Sequence, residues 1–300
     1  MKELVLAFSR FGWLGFGGPI ATIAMMEEEL QRRRGWVTEK QFAEIYAICK
    51  MLPGPVATQV AISLGLARAG RLGGLVAGLV YSFPKFLIIL AFSVIYFRER
   101  IGLEYQELFA ALQTAALVVI LTSTMHLARP MGRDLKAIAL AIVSAAVVWR
   151  FPLWEPLMIL VAGLGGAIAA VRHDPGSGRT PTFALAPIPS PGVALGAIAA
   201  GAAAQPALLD LFWVCFKAGA FTFGTGLAVI PLLEADTVQL RSWLTHAEFM
   251  DGLAIGQVAP GPVVLSVTFI GYKVAGALGA LVATLGVLVP PFINVLYIVP

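Results

Sequence analysis

Two basic residues occupy equivalent places in apolar stretches of this sequence. Arg10 and Lys217 are 207 residues apart, and each stands seven residues before a glycine-rich interruption. A charge at the middle of a membrane-spanning helix costs on the order of 3 kcal/mol, so its repetition in one register indicates a use. Backbone N–H groups exposed by glycines, together with a cation, are the donors that an oxyanion requires. The alternative is that both side chains lie near a helix end and reach the membrane surface.

Both glycine-rich interruptions divide an apolar run. Residues 15–19 read Gly-Phe-Gly-Gly-Pro, and residues 223–226 read Phe-Gly-Thr-Gly. Glycine costs about 1 kcal/mol in a helix interior and proline about 3 kcal/mol, so the pattern predicts half-helices joined by an open turn. In a bilayer such a turn persists only where protein shields it or it lines a cavity. The candidate anion ligands in these two breaks are Gly17, Gly18, Gly224, Thr225 and Gly226.

A Pro-Gly-Pro sequence occurs at residues 53–55 and again at residues 260–262. Proline lacks a backbone N–H and clashes with the preceding helical turn, so each copy should end a helix and hold a rigid turn. Gln59 and Ser266 follow four residues after these turns and are matched neutral donors. The further candidate substrate ligands are Pro53, Gly54, Pro55, Gln59, Pro260, Gly261, Pro262 and Ser266.

Two pairs of carboxylates recur on the same offset, Glu27 with Glu234 and Glu44 with Asp251. Glu44 and Asp251 lie within apolar helical stretches, where desolvation raises the pKa of a carboxyl group and favours a role in proton transfer. All four are candidates for proton coupling. A structural role, such as an ion pair with Lys50 or a helix cap, is the alternative that the sequence leaves open.

The sequence contains no pattern that indicates catalysis, a metal ion or a cofactor. The three histidines are isolated, and Cys49 and Cys215 are too few for a disulfide framework or a metal site. Neither glycine cluster matches a dinucleotide fingerprint or a phosphate-binding loop. We therefore expect no enzymatic activity, no metal and no cofactor.

The composition indicates a membrane protein. Of the 300 residues, 59% are hydrophobic and 13% are charged, and the mean hydropathy is +0.86; charged residues make up roughly a quarter of a typical soluble domain. The net charge of +4 is dispersed over short connections, so nucleic acid is not an expected partner. The sequence predicts an all-α, polytopic membrane protein whose main partner is the lipid bilayer.

The offset of 207 residues also relates many structural residues, among them Trp36 with Trp243. Thr38 with Gln41, and Thr245 with Glu248, repeat the spacing of a capping box. We interpret this as an internal duplication with matched broken helices, a pattern typical of transporters. The predicted organisation is a first transmembrane repeat at 1–171, a Pro/Gly-rich linker at 172–192 and a second repeat at 193–300. The second repeat is expected to be incomplete, shorter than the first by about three helices.

The sequence resembles the chromate ion transporter family. The resemblance is carried by Phe-Gly-Gly-Pro at 16–19, Trp-Val-Thr at 36–38, Pro-Gly-Pro at 53–55 and their echoes in the second half. It implies a multi-pass protein of the bacterial or archaeal inner membrane that exports chromate and confers chromate resistance. It also implies that the membrane potential or a proton gradient drives transport, and that the two halves have opposite membrane orientations.

Several alternatives remain at this level. Sulfate or another oxyanion has similar charge and shape, so the sequence does not separate it from chromate as the substrate. A non-transporting membrane subunit and a channel are rival functions. A homodimer is a further open expectation.

Overall fold

The computed structural model describes residues 1–99, 106–128, 135–150, 206–222, 226 and 229–298. Every regular element in these ranges is helical, which confirms the predicted all-α class. The predicted linker at 172–192 lies outside the described residues, as do Gly224 and Thr225. The chain divides into two compact units, one formed by Met1–Leu127 with Pro206–Pro300 and the other by Ala128–Gln205. Both glycine-rich breaks and both Pro-Gly-Pro turns belong to the first of these units.

The helices before the predicted linker are α1 (Lys2–Leu14), α2 (Gly18–Met26) with a π-helical continuation (Glu27–Arg33), α3 (Glu39–Met51), α4 (Val56–Arg98), α5 (Gln106–Ala128) and α6 (Leu135–Arg150). Those after it are α7 (Pro206–Ala220), α8 (Ile230–Glu234) with a π-helical continuation (Ala235–Leu240), α9 (His246–Val258), a 3₁₀ turn (Val263–Ser266), α10 (Val267–Ile293) and a π-helical segment (Asn294–Ile298).

The local signals identified in the sequence set several helix ends. Thr38 caps α3 and Thr245 caps α9, each in a complete capping box with the residue three positions later, which confirms that prediction. The helices α3 and α9 both stop just before a Pro-Gly-Pro turn, as predicted. The first break also separates α1 from α2 as expected.

Helix α4 is a hairpin of two antiparallel arms, 56–68 and 71–98. A straight helix of its 43 residues would be about 65 Å long, but the chain reverses at Ala69 and Gly70, where Gly70 has φ 65°. A left-handed backbone of this kind favours glycine. The arms approach closely, since a Cβ placed on Gly65 would lie 2.5 Å from the carbonyl oxygen of Gly73.

Helix α10 repeats this hairpin. Its reversal lies at Ala275 and Gly276, and Gly276 has φ 60°. The hydroxyl groups of Thr268 and Thr284 are hydrogen-bonded across the arms at 2.7 Å. By length and composition, two apolar segments qualify as membrane spans, Val56–Arg98 and Val263–Tyr297. In each hairpin the arm before the reversal is short: 13 residues at about 1.5 Å per residue do not cross a hydrocarbon core of about 30 Å. This agrees with the broken element expected after the first Pro-Gly-Pro.

The apolar core is continuous across the two halves of the sequence. One cluster joins α1 to α4 through Phe8, Phe11 and Tyr81. A second cluster is built around Leu211 and Phe269 of the second half, and it also includes residues from the far end of α4. Helix α4 therefore positions both halves of the site.

Candidate functional site

Each Pro-Gly-Pro turn contacts the break of the other half. The N–H of Gly54 donates to the carbonyl oxygen of Thr222 at 2.6 Å, and the N–H of Gly261 donates to that of Gly15 at 3.0 Å. Both donors and both acceptors are 207 residues apart. We call the contact of Gly54 with Thr222 the first junction, and that of Gly261 with Gly15 the second junction. The breaks and turns predicted as a site are thus brought together.

Glycine is required at these turns by the backbone. Gly54 has φ 130° and Gly261 has φ 101°, and both are buried. In the breaks, Gly17, Gly18 and Gly226 also have positive φ, a conformation that residues with a Cβ rarely adopt. A Cβ on Gly18 would meet no atom within 4 Å, so the first break lies in an open part of the molecule.

The four remaining prolines of the two turns flank these glycines. Pro55 and Pro262 have extended backbones and immediately precede the next helical turn, while Pro260 follows the extended C-cap of α9. The carbonyl oxygen of Pro53 accepts two side-chain hydrogen bonds, from Gln59 Nε2 at 2.6 Å and from Asn294 Nδ2 at 2.5 Å. The first junction is therefore lined by neutral amides.

The matched residues Gln59 and Ser266 have different surroundings. Ser266 donates locally to the carbonyl oxygen of Val263 at 2.7 Å. Gln59 is fully buried and its Oε1 has no hydrogen-bond partner among the described residues, and the hydroxyl of the neighbouring Thr58 is in the same situation. Buried polar atoms are nearly always satisfied, so the start of α4 has unused hydrogen-bonding capacity. Thr58 was not identified from the sequence.

Arg10 and Lys217 both form ion pairs. Arg10 lies 3.9 Å from Glu29, which also accepts from Arg34 at 2.8 Å. The hydrogen bond from Arg34 is the main cause of the lowered pKa of Glu29. Lys217 pairs at 2.5 Å with Asp236, so the lone basic residues seen in the sequence each have a carboxylate partner 19 positions later.

These ion pairs are duplicated in outline and differ in burial. The side chain of Arg10 is 58% exposed, whereas Asp236, the partner of Lys217, is only 3% exposed. Arg241 adds a second cation to Asp236 at 3.0 Å and also binds Asp210 at 2.6 Å. The second cluster is therefore the more tightly connected of the two.

The carboxylates proposed for proton coupling fall into two groups. Glu27 pairs with Arg32, and Glu234 pairs with His246, both at partly exposed positions. Glu44 is 60% exposed and lies 4.0 Å from Lys40; its lysine neighbour is thus Lys40 rather than Lys50.

Asp251 is the buried member of the set. Its residue is 5% exposed, and it accepts hydrogen bonds from Tyr96 Oη at 2.6 Å and from Gln113 Nε2 at 2.8 Å. Both donors come from the other half of the sequence, on α4 and α5, and neither was identified from the sequence. Only the folded chain shows that Asp251 links the two halves.

Lys85 was not assigned to the site from the sequence, although its position within the clearest span was a signal. It is fully buried on the second arm of α4. Its Nζ donates to the carbonyl oxygens of Gly256, Ala259 and Gly261 at 2.6, 3.0 and 3.3 Å. A buried cation thus lies at the second junction, while Arg10 and Lys217 lie in ion pairs elsewhere on the helices.

A resident metal has no support in the described part of the chain. No group of three or more His, Cys, Asp or Glu side chains lies close enough there to hold a metal ion. Cys49 and Cys215 are both buried free thiols. The arrangement is suited to hydrogen bonding and charge stabilisation by backbone and side-chain groups.

Comparison with known proteins supports this view of the site. The family model described as "Chromate transporter" matches residues 2–168 and 209–300. The chromate transport protein of Pseudomonas aeruginosa is 34% identical over 298 residues, covering 97% of this chain and 70% of the relative. The chromate transport protein of Cupriavidus metallidurans is also 34% identical, covering 98% of this chain and 72% of the relative.

A probable chromate transport protein of Synechococcus elongatus is 32% identical and covers 98% of this chain and 74% of the relative. No solved structure matches the chain. The family match extends over both halves and includes both breaks and both Pro-Gly-Pro turns. This chain is a membrane protein that belongs to the chromate transporter family.

Proposed function

We propose that this chain is a secondary active transporter that exports chromate across the bacterial or archaeal inner membrane and so confers chromate resistance. The observation that carries the proposal is the reciprocal pairing of the two junctions in a member of the chromate transporter family. A site between two units of this kind is the arrangement that alternating access requires. Chromate is named because the three most similar relatives described above carry that substrate in their names.

The proposed architecture is a multi-pass protein with two homologous repeats in opposite orientations. The two stretches matched by the family model begin 207 residues apart, which is the offset of the sequence repeat. The junctions are reciprocal, as contacts across a two-fold axis are. Lys40 and Ala247 are exposed and also 207 residues apart. An impermeant maleimide should label Lys40→Cys and Ala247→Cys from opposite sides of the membrane, and labelling from one side contradicts the inversion.

The proposed substrate contacts are the glycine-rich breaks and the Pro-Gly-Pro turns. The first break offers glycine N–H groups in an open region, and the first N–H groups of α4 have no carbonyl of their own helix to bind. The unpartnered Thr58 hydroxyl adds a donor at that helix start. Arg10 and Lys217 supply positive charge on the helices that lead to the two breaks. A dianion stripped of water requires several such donors.

The proposed coupling group is Asp251, because it is the buried carboxylate that joins the two halves. Protonation would remove its charge and weaken its hydrogen bonds to Tyr96 and Gln113. Movement of one half against the other would then be linked to proton uptake. Glu44, Glu27 and Glu234 are the remaining candidates for a proton relay.

Reconstitution of the purified chain tests the function. Proteoliposomes with an imposed proton gradient and membrane potential should accumulate chromate, and an uncoupler should abolish the accumulation. An excess of sulfate distinguishes a chromate-selective protein, whose flux stays, from a general oxyanion carrier, whose flux falls. Absence of chromate flux in proteoliposomes that contain the folded chain would overturn the proposal.

A further inference from the structure

Lys85 has a geometry that the proposed function does not use. The side chain is fully buried, and its Nζ donates to three carbonyl oxygens of the other half of the sequence. An ammonium group carries three N–H donors and no acceptor. All three donors are therefore taken by the end of α9 and the Pro-Gly-Pro turn that follows it.

The three carbonyl groups need an outside donor for a local reason. In a regular helix the carbonyl of Gly256 would accept from the N–H four residues later, but that residue is Pro260, which has none. The N–H of the next residue, Gly261, is used by Gly15 across the second junction. The last carbonyls of a helix also carry partial negative charge. A buried ammonium satisfies both the hydrogen bonds and the charge.

The first junction is held in a different way. The hairpins α4 and α10 align with an offset of 206, so the residue equivalent to Lys85 is Pro291. The carbonyl oxygen of Pro53 instead accepts from the neutral amides of Gln59 and Asn294. One junction is thus stabilised by a positive charge and the other by uncharged side chains.

We propose that Lys85 is a positioning residue for transport, whose ammonium group holds the second Pro-Gly-Pro turn against the first glycine-rich break. This inference rests on the proposed transport function. Lys85 acts through the backbone of Gly256, Ala259 and Gly261, and keeps the N–H of Gly261 on the carbonyl of Gly15. Loss of the ammonium should release the second junction and leave the first junction in place.

Two valines provide matched reporters of the junctions. Val56 and Val263 follow the two Pro-Gly-Pro turns directly, lie 207 residues apart, and are 4% and 7% exposed. Each is changed to cysteine in a chain in which Cys49 and Cys215 are replaced by alanine. The rate of N-ethylmaleimide labelling then reports how often each turn opens.

Lys85→Met should raise the labelling rate of Val263→Cys by about tenfold or more, because hydrogen bonds to a charged group are lost, and should leave Val56→Cys unchanged. Asn294→Leu should have the opposite pattern. Lys85→Arg, which keeps a charge and donors, should restore most of the protection at Val263→Cys. Unchanged labelling of Val263→Cys in Lys85→Met, or equal labelling of both reporters, overturns the proposal.

Chromate flux in proteoliposomes separates this inference from the proposed function. Lys85→Met should lose most of the maximal flux while Lys85→Arg retains a measurable share. Full flux in Lys85→Met together with increased labelling of Val263→Cys overturns the positioning role. The predicted labelling pattern in a chain whose unmodified form has no flux supports the tether and overturns the transport function alone.

Discussion

The two halves of the site, residues 1–99 and 206–298, share a backbone plan and differ in the side chains placed on it. Both have a break, a capped helix, a Pro-Gly-Pro turn and a helical hairpin, and the close approach of Gly12 to Tyr81 is repeated by Gly219 and Val287. The buried charges are unequal, because Asp251 belongs to the second half and Lys85 to the first. Backbone geometry is thus preserved while the chemistry has diverged, as expected where the two halves have different tasks.

The largest expected difference is between Asp251 and its equivalent, Glu44. Asp251→Ala leaves two buried donors without an acceptor and should lower the free energy of unfolding by about 3 kcal/mol, whereas Glu44→Ala should change it by about 0.5 kcal/mol or less. Unfolding of the purified chain in detergent micelles measures both. Equal effects would contradict the assignment of Asp251 as the buried member.

The milder variants extend this comparison to coupling. Asp251→Asn should make chromate flux insensitive to the proton gradient, because the amide does not take up a proton in this range of pH. Glu44→Gln should keep the dependence on the gradient. If Asp251→Asn retains proton-dependent flux, the coupling group lies elsewhere.

An intermediate difference is expected between Lys217 and Arg10. Lys217→Ala leaves the buried carboxylate of Asp236 with only Arg241, and should cost about 2 kcal/mol of unfolding free energy. Arg10→Ala removes a long, exposed ion pair and should cost about 0.5 kcal/mol. Chemical unfolding in micelles measures this difference, and Arg241→Ala serves as a control because it acts on the same carboxylate.

Flux measurements on the same two variants test the proposed role of these charges. Each alanine variant should lower chromate uptake by everted membrane vesicles at matched protein levels, because positive charge near a break is lost. Uptake equal to that of the unmodified chain in both variants would remove Arg10 and Lys217 from the transport site.

The smallest difference is expected at the two capping boxes. Thr38→Ala and Thr245→Ala should each cost about 1 kcal/mol, since both hydroxyls accept the same hydrogen bond at the same position of their helices. Thermal unfolding of the two variants in parallel should give similar shifts. A clear inequality would show that the backbone plan is less symmetrical than the contacts indicate.

Much of the fold follows from local rules that act within a few residues. Prolines that lack an N–H end α3 and α9, and threonine hydroxyls begin these helices, so these boundaries could be predicted. The reversals at Gly70 and Gly276 were not predicted, because a glycine in an apolar run is compatible with a continuous helix. Only the packing of Gly65 against Gly73 shows that the chain turns back.

The sequence by itself determined the membrane environment, the helical class, the repeat and the positions of the breaks, because composition and local backbone chemistry decide these properties. Tertiary structure alone decided the partners. It placed each Pro-Gly-Pro turn on the opposite break, Lys85 on three carbonyl groups, and Tyr96 and Gln113 on Asp251. These contacts join residues more than a hundred positions apart, and hydrogen-bond partners at that separation depend on how the helices pack rather than on any local pattern.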